Sequence, residues 1–282
     1  RLLMLKGSRY FAELHNGMAW SRDGRRFYLT HTRSREVFAF EFEPDRGRLG
    51  ARRLFTRVTD ERGIPDGAAV DSEDGYWCAL HGAGRLRRYT DGGQTWKNVL
   101  YTNERTGGSD VVIDPKNPNV VYASMWESTL GPWEDGNEYD GTGGGLFKST
   151  DGGETWHKLT KGLPDDLVQI NVAIAPRDPN RIYATLATTR ESGYGSAAGL
   201  GFYRSDDAGE NWSKITDDPR PALKIGGGVS TVPGVDSKNP DIVYSASIVT
   251  MRSRDGGKTW SGLRGAPGGD DYQHIWIDPE NA

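Results

Sequence analysis

The sequence predicts an all-β protein: a single β-propeller spanning residues 1–282, with about six four-stranded blades. Three observations predict it. The first is an eight-residue turn motif that recurs as Ser149-Thr150-Asp151-Gly152-Gly153-Glu154-Thr155-Trp156, as Ser205 to Trp212 and as Ser253 to Trp260, with a fourth copy, Tyr89 to Trp96, lacking the leading Ser. The second is a strand, polar turn, strand pattern whose turns return roughly every 40–60 residues, the period of a four-stranded blade. The third is at the termini. Tyr272 to Asp278 reads as the inner strand of a last blade, and Leu2 to Leu5 and Arg9 to Leu14 read as its outer strands. That closure would remove exposed sheet edges, which otherwise invite aggregation.

Along the chain, the polar turns begin at Ser21, Asp71, Asp114, Ala175, Asp236 and Asp278. Apolar runs flank them, such as Val111-Val112-Ile113 before and Val120-Val121-Tyr122-Ala123 after. The recurrent motif S-x-D-x-G-x-T-W then joins the third and fourth strands of a blade. Its chemistry is that of a tight hairpin. The carboxylates of Asp91, Asp151, Asp207 and Asp255 accept backbone N–H bonds inside the turn. The Gly supplies a positive φ, and the Trp has a large apolar face to bury. These four Asp are therefore read as structural. Two longer loops, residues 127–145 and 188–201, interrupt the pattern between second and third strands, where inserted loops carry binding function more often than elsewhere.

Bulk properties narrow the function. The chain has 282 residues and a net charge of −4, which points to neither nucleic acid nor a membrane surface as partner. No apolar run approaches the roughly 20 residues of a membrane-spanning helix. The chain lacks an initiator Met, so a removed leader tips the expected compartment towards periplasmic or extracellular, and the expected state is a monomer. The single Cys, Cys78, cannot form an internal disulfide and is read as buried and inert. Five His show no zinc spacing, and there is no G-x-S-x-G elbow or phosphate loop. Residues 1–90 hold sixteen Arg and one Lys, whereas residues 91–282 hold nine of each. The two stretches differ in motif vocabulary as well, as a recombined or designed chimera would.

Residues 1–90 resemble the senescence marker protein / gluconolactonase family of six-bladed propellers. The matching stretches are Asn16 to Gly24 (NGMAWSRDG), Val37 to Phe42, Gly47-Arg48-Leu49 and Gly63 to Asp71 (GIPDGAAVD). The resemblance implies that Asn16 and Asp66 bind a divalent cation in a central channel, where hard oxygen ligands suit calcium. It also implies lactone or ester hydrolysis, with Asp66 as the candidate catalytic base. The family's acidic ligand on another blade has no match. Counting residues back from each turn places Gln273 and Ser109 level with Asn16 and Asp66, so the expected metal set is Asn16, Asp66 and Gln273. One certain carboxylate implies weak calcium binding, on the order of 10⁻⁴ to 10⁻³ M.

Residues 91–282 resemble the Asp-box (BNR) repeat proteins related to sortilin and to xyloglucanase-type glycoside hydrolases. The matching stretches are Ile113 to Glu127, the turn motifs themselves and Ile275 to Asn281. Trp126, Glu127, Trp133, Glu134 and Asp135 form an aromatic and acidic group suited to stacking on a sugar and bonding its hydroxyls. Three readings follow. The leading one is a binding or scaffold propeller without efficient catalysis. The second is a calcium-dependent lactonase. The third is a carbohydrate-binding or glycoside hydrolase-like propeller. The partner is accordingly a small molecule or a glycan.

Overall fold

The computed structural model describes residues 15–59, 63–129, 138–189, 200–223, 231–246, 249–264, 275 and 277. These form five four-stranded antiparallel sheets of the propeller-blade type. The first holds β1 (His15–Trp20), β2 (Arg26–His31), β3 (Glu36–Glu43) and β4 (Arg48–Arg57). In the second are β5 (Ile64–Val70), β6 (Tyr76–His81), β7 (Arg85–Thr90) and β8 (Thr95–Tyr101). The third contains β9 (Thr106–Ile113), β10 (Val121–Thr129), β11 (Glu138–Ser149) and β12 (His157–Leu159). The fourth runs through β13 (Leu167–Ala175), β14 (Asp178–Thr188), β15 (Leu200–Ser205) and β16 (Ser213–Thr216). The fifth comprises β17 (Pro233–Val235), β18 (Val243–Ser245), β19 (Thr250–Ser253) and β20 (Ser261–Arg264).

In every sheet the strands lie in sequence order, as hairpin-by-hairpin connections require. The count corrects the expected six: the described residues make five blades. The strands expected for a sixth, residues 2–5, 9–14 and 272–278, fall outside the described residues apart from Ile275 and Ile277. The change in composition near residue 90 falls within a hairpin of the second sheet, between β7 and β8, so both stretches contribute to one blade.

The chain divides into two compact units. One contains residues 1–113, 117–126 and 147–157, and the other contains the remainder. In the first unit, strand alternation feeds two cores. Tyr76, Cys78 and Leu80 of β6 join Ala19, Tyr28, Val37 and Tyr89. Trp77 and Ala79, facing the other way, join Leu86, Leu100, Val111, Val121 and Met125. Period-two side chains on a strand covered on both faces leave no polar side, and all six residues of β6 are buried. In the second unit, Ala175, Tyr183, Phe202, Val243, Met251 and Trp260 form the main cluster.

Three of the four turn motifs fold as the chemistry predicts. Ser149 Oγ donates to Asp151 Oδ1 at 2.7 Å and accepts from Gly153 N at 2.8 Å. Thr155 N donates to Asp151 Oδ1 at 2.9 Å, and Trp156 Nε1 to the Gly153 carbonyl at 3.1 Å. The Ser205–Asp207–Gly209–Asn211 and Ser253–Asp255–Gly257–Thr259 sets repeat the pattern. The fourth copy departs from it. Asp91 lies in a short 3₁₀ turn, and Trp96 pairs with Tyr89 inside the β7–β8 ladder. Tyr89 has no hydroxyl at Cβ to accept the turn N–H, and Trp96 stays 46% exposed, against 4% for Trp212 and 8% for Trp260.

Candidate functional site

The site is built from the inner strands of three consecutive blades in the first unit. β1 and β5 carry the same irregularity. Asn16 pairs with Thr30 but Ala19 with Tyr28, and Pro65 pairs with Leu80 but Ala68 with Cys78. Each strand thus holds one extra residue, a β-bulge, at N-G-M-A and at P-D-G-A. A bulge re-aims the neighbouring side chains, and here it coincides with the residues that the resemblance marks.

Glycines let the three strands close up. A Cβ on Gly17 would stand 2.2 Å from the Asp66 carbonyl oxygen. A Cβ on Gly67 would stand 2.5 Å from the Ser109 carbonyl oxygen and 2.7 Å from Asp110 Oδ1. Asp66 on β5 and Asp110 on β9 therefore form a carboxylate pair on adjacent strands. Both residues are half-buried. Burial raises the Asp66 carboxyl to about 7, and the charge of Asp110 adds to the rise. Burial likewise raises Asp110 to about 7, against the hydrogen bond its Oδ1 accepts from Val111 N at 2.8 Å. Two carboxyls raised towards neutrality, both by burial and Asp66 also by the charge of Asp110, are groups that a cation would stabilise.

The other expected residues are placed as follows. Asn16 lies in β1, next to Gly17. Gln273 lies outside the described residues. Trp126 is 5% exposed, its ring 5.8 Å from that of His81, so it offers no open face for stacking a sugar. Glu127 Oε2 accepts the Gly143 N–H at 2.7 Å, which ties β10 to β11. Trp133, Glu134 and Asp135 lie outside the described residues. Ser109, level with Asp66 by residue counting, donates its hydroxyl to the Ser124 carbonyl at 3.1 Å. Cys78 is fully buried, and burial pushes its thiol up to about 12, with Asp66 nearby adding to the rise. Burial also lowers the pKa of His81.

Asp110 is the residue the sequence reading missed. Counting back from a turn selects Ser109, the residue directly before Asp110. The signal was present as a carboxylate directly after Gly107-Gly108-Ser109, at the start of a predicted inner strand. Among the described residues no cluster of three or more His, Cys, Asp or Glu could hold a metal ion, so the pair is a two-carboxylate site. A separate cleft of about 460 Å³ opens in the same unit. Its charges are mutually paired, Arg88 with Asp71 at 2.6 Å and with Glu73 at 2.7 Å, and Lys97 with Glu154 at 2.8 Å. It therefore looks like a polar seam rather than a reaction centre.

Comparison with known proteins bears on both stretches of the chain. Residues 10–106 match the SMP-30/Gluconolactonase/LRE-like region, so the match covers β1 to β8 and with them Asn16 and Asp66. Residues 147–158, 203–214 and 251–261 match the BNR/Asp-box repeat, the three motifs that fold as hairpins. Regucalcin of Sus scrofa is 29% identical over 159 residues, 55% of this chain and 50% of that protein. The pentonolactonase XacC of Haloferax volcanii is 34% identical over 101 residues, 34% of this chain and 35% of that protein. The chain thus spans half or less of the length of these relatives. Among solved structures, a gluconolactonase from Xanthomonas campestris superposes with a TM-score of 0.60 at 16% identity, covering 91% of this chain and 77% of that one. That likeness shows the fold. No helix among the described residues is long and apolar enough to cross a membrane.

Proposed function

We propose that this chain acts as a divalent-metal-dependent hydrolase of lactones, centred on Asp66 and Asp110. The observation that carries this reading is the carboxylate pair itself. The sequence offered a single certain anionic ligand, which favoured a scaffold without efficient catalysis. Asp110 supplies a second on the neighbouring inner strand β9, four residues beyond the stretch that matches the gluconolactonase-like region. The donor set fits a hard cation: two carboxylates raised to about 7, chiefly by burial, would be relieved by positive charge. Asn16 is the neutral oxygen donor that the resemblance assigns.

A bound cation would polarise the lactone carbonyl. The chain's own groups do the rest. A carboxylate of the pair accepts a proton from water as the water oxygen bonds to the acyl carbon. The ring C–O bond then breaks, and the same carboxyl returns the proton to the departing alkoxide, leaving an open hydroxy acid. The buried flank of the pair keeps bulk water from competing for that proton.

The test is hydrolysis of glucono-δ-lactone and a pentonolactone with millimolar calcium, with EDTA, and in Asp66→Asn. Metal-dependent turnover that Asp66→Asn abolishes while the variant still folds is the expected result. Turnover indifferent to EDTA, or no turnover and no thermal shift with calcium, would refute the reading.

A further inference from the structure

Gly67 follows Asp66 in the β5 bulge, and its backbone lies outside the left-handed region. An alanine there would be strained by space alone. The space is very short. Its Cβ would meet the Ser109 carbonyl oxygen at 2.5 Å, Asp110 Cα at 2.6 Å and Asp110 Oδ1 at 2.7 Å. The first two are backbone atoms that cannot rotate away. β5 and β9 thus approach more closely at this point than any residue with a side chain permits, and the approach sets the residue after Asp66 against Asp110.

We infer that Gly67 is a positioning residue that sets the size of cation the Asp66–Asp110 pair accepts. The inference rests on the metal-dependent reading above and adds to it a determinant of ion choice. Oxygen ligands stand about 2.0–2.1 Å from magnesium and about 2.3–2.6 Å from calcium, and the choice between them follows cavity size and rigidity. An added methyl would have to move its contact with the Ser109 carbonyl oxygen from 2.5 Å to the ordinary range, which begins at 3.4 Å. The strands would part by up to about 0.9 Å, more than the difference between magnesium–oxygen and calcium–oxygen distances. Gly67→Ala therefore widens the pair and turns it towards larger ions. Asp110→Glu, which lengthens one arm by a methylene while the strands stay put, narrows it and turns it towards smaller ones.

The experiment is calorimetric titration of the full chain with magnesium, calcium and strontium. Gly67→Ala should raise the strontium-over-calcium and calcium-over-magnesium preferences, each by about tenfold, because ion choice at a hard-oxygen site is a matter of fit. Asp110→Glu should lower both ratios, and the double variant should return them towards the parent values. Equal weakening of all three ions by Gly67→Ala, with the ratios unchanged, would show that Gly67 only packs and would overturn the inference. Should Gly67→Ala fail to fold, unchanged ratios in Asp110→Glu would overturn it equally. A parent protein that binds none of the three ions would remove the metal reading itself, a result distinct from either.

Discussion

Replacing Asp110 by Asn should make the metal-free protein more stable at alkaline pH and, at the same time, a poorer calcium binder. The variant keeps the shape of the side chain and an oxygen to accept the Val111 N–H. In the native state both carboxyls rise from 3.8 to about 7. A folded-state pKa above the unfolded one means that the native protein holds the proton more tightly. The stabilising contribution is then complete below the unfolded value and is lost as pH climbs from about 4 through about 7. A rise of about three units corresponds to about 4 kcal/mol per group at most. The two residues are only half-buried, which reduces the figure to about 1–2 kcal/mol. Denaturant unfolding in EDTA at pH 4.5 and pH 8 measures this directly. Asp110→Asn should match the parent at pH 4.5 and exceed it by about 1–2 kcal/mol at pH 8. Calcium at pH 8 should reverse the order, because the variant has lost an anionic ligand. A variant equally destabilised at both pH values would show that Asp110 is an ordinary packing residue, and the carboxylate-pair argument would fail with it.

Other expectations follow from the same geometry. Metal and proton compete for the pair, so calcium affinity in the parent should rise about a hundredfold between pH 6 and pH 8 and only about tenfold in Asp110→Asn, as calorimetry at three pH values would show. Ser149→Ala should cost about 1–3 kcal/mol, because the buried Gly153 N–H loses its acceptor; thermal unfolding reads the loss, and lactone turnover per folded molecule should be unchanged. Burial works against ionisation of Asp255, but hydrogen bonds from Thr259 and Ser253 hold its carboxyl at about 2. Its stabilisation is therefore present above the unfolded value of 3.8 and disappears as pH falls towards about 2. The difference in melting temperature between the parent and Asp255→Asn should accordingly shrink between pH 5 and pH 2.5.

The hairpin motifs were legible because their chemistry is local. Ser, Asp, Gly and Thr within eight residues satisfy one another, and no distant partner is needed. Where the Ser is Tyr89 the motif is otherwise intact, yet without a hydroxyl at Cβ this residue cannot accept the turn N–H as Ser does, and Trp96 enters the strand ladder instead. Asp66 was legible through its I-P-D-G context, but its partner was not. Asp110 meets Asp66 across strands more than forty residues apart in sequence, and residue counting from the turns selected its neighbour Ser109. Trp126 shows the opposite error. Aromatic residues beside carboxylates suit sugar binding on paper, but a strand position facing a neighbouring blade buries the ring against His81.

β6 lies between the two cores of the first unit, and it carries the chain's one thiol. Cys78 is fully buried, and its thiol stays protonated at any pH at which the protein would be handled. A thiol reagent can therefore reach it only when β6 leaves both neighbours at once, the most extensive opening available to this unit. Cys78 is thus a native clock for the unfolding of the body that holds the carboxylate pair. With no label introduced and no residue changed, the rate of its modification with and without calcium would convert ion binding into a measured slowing of that opening.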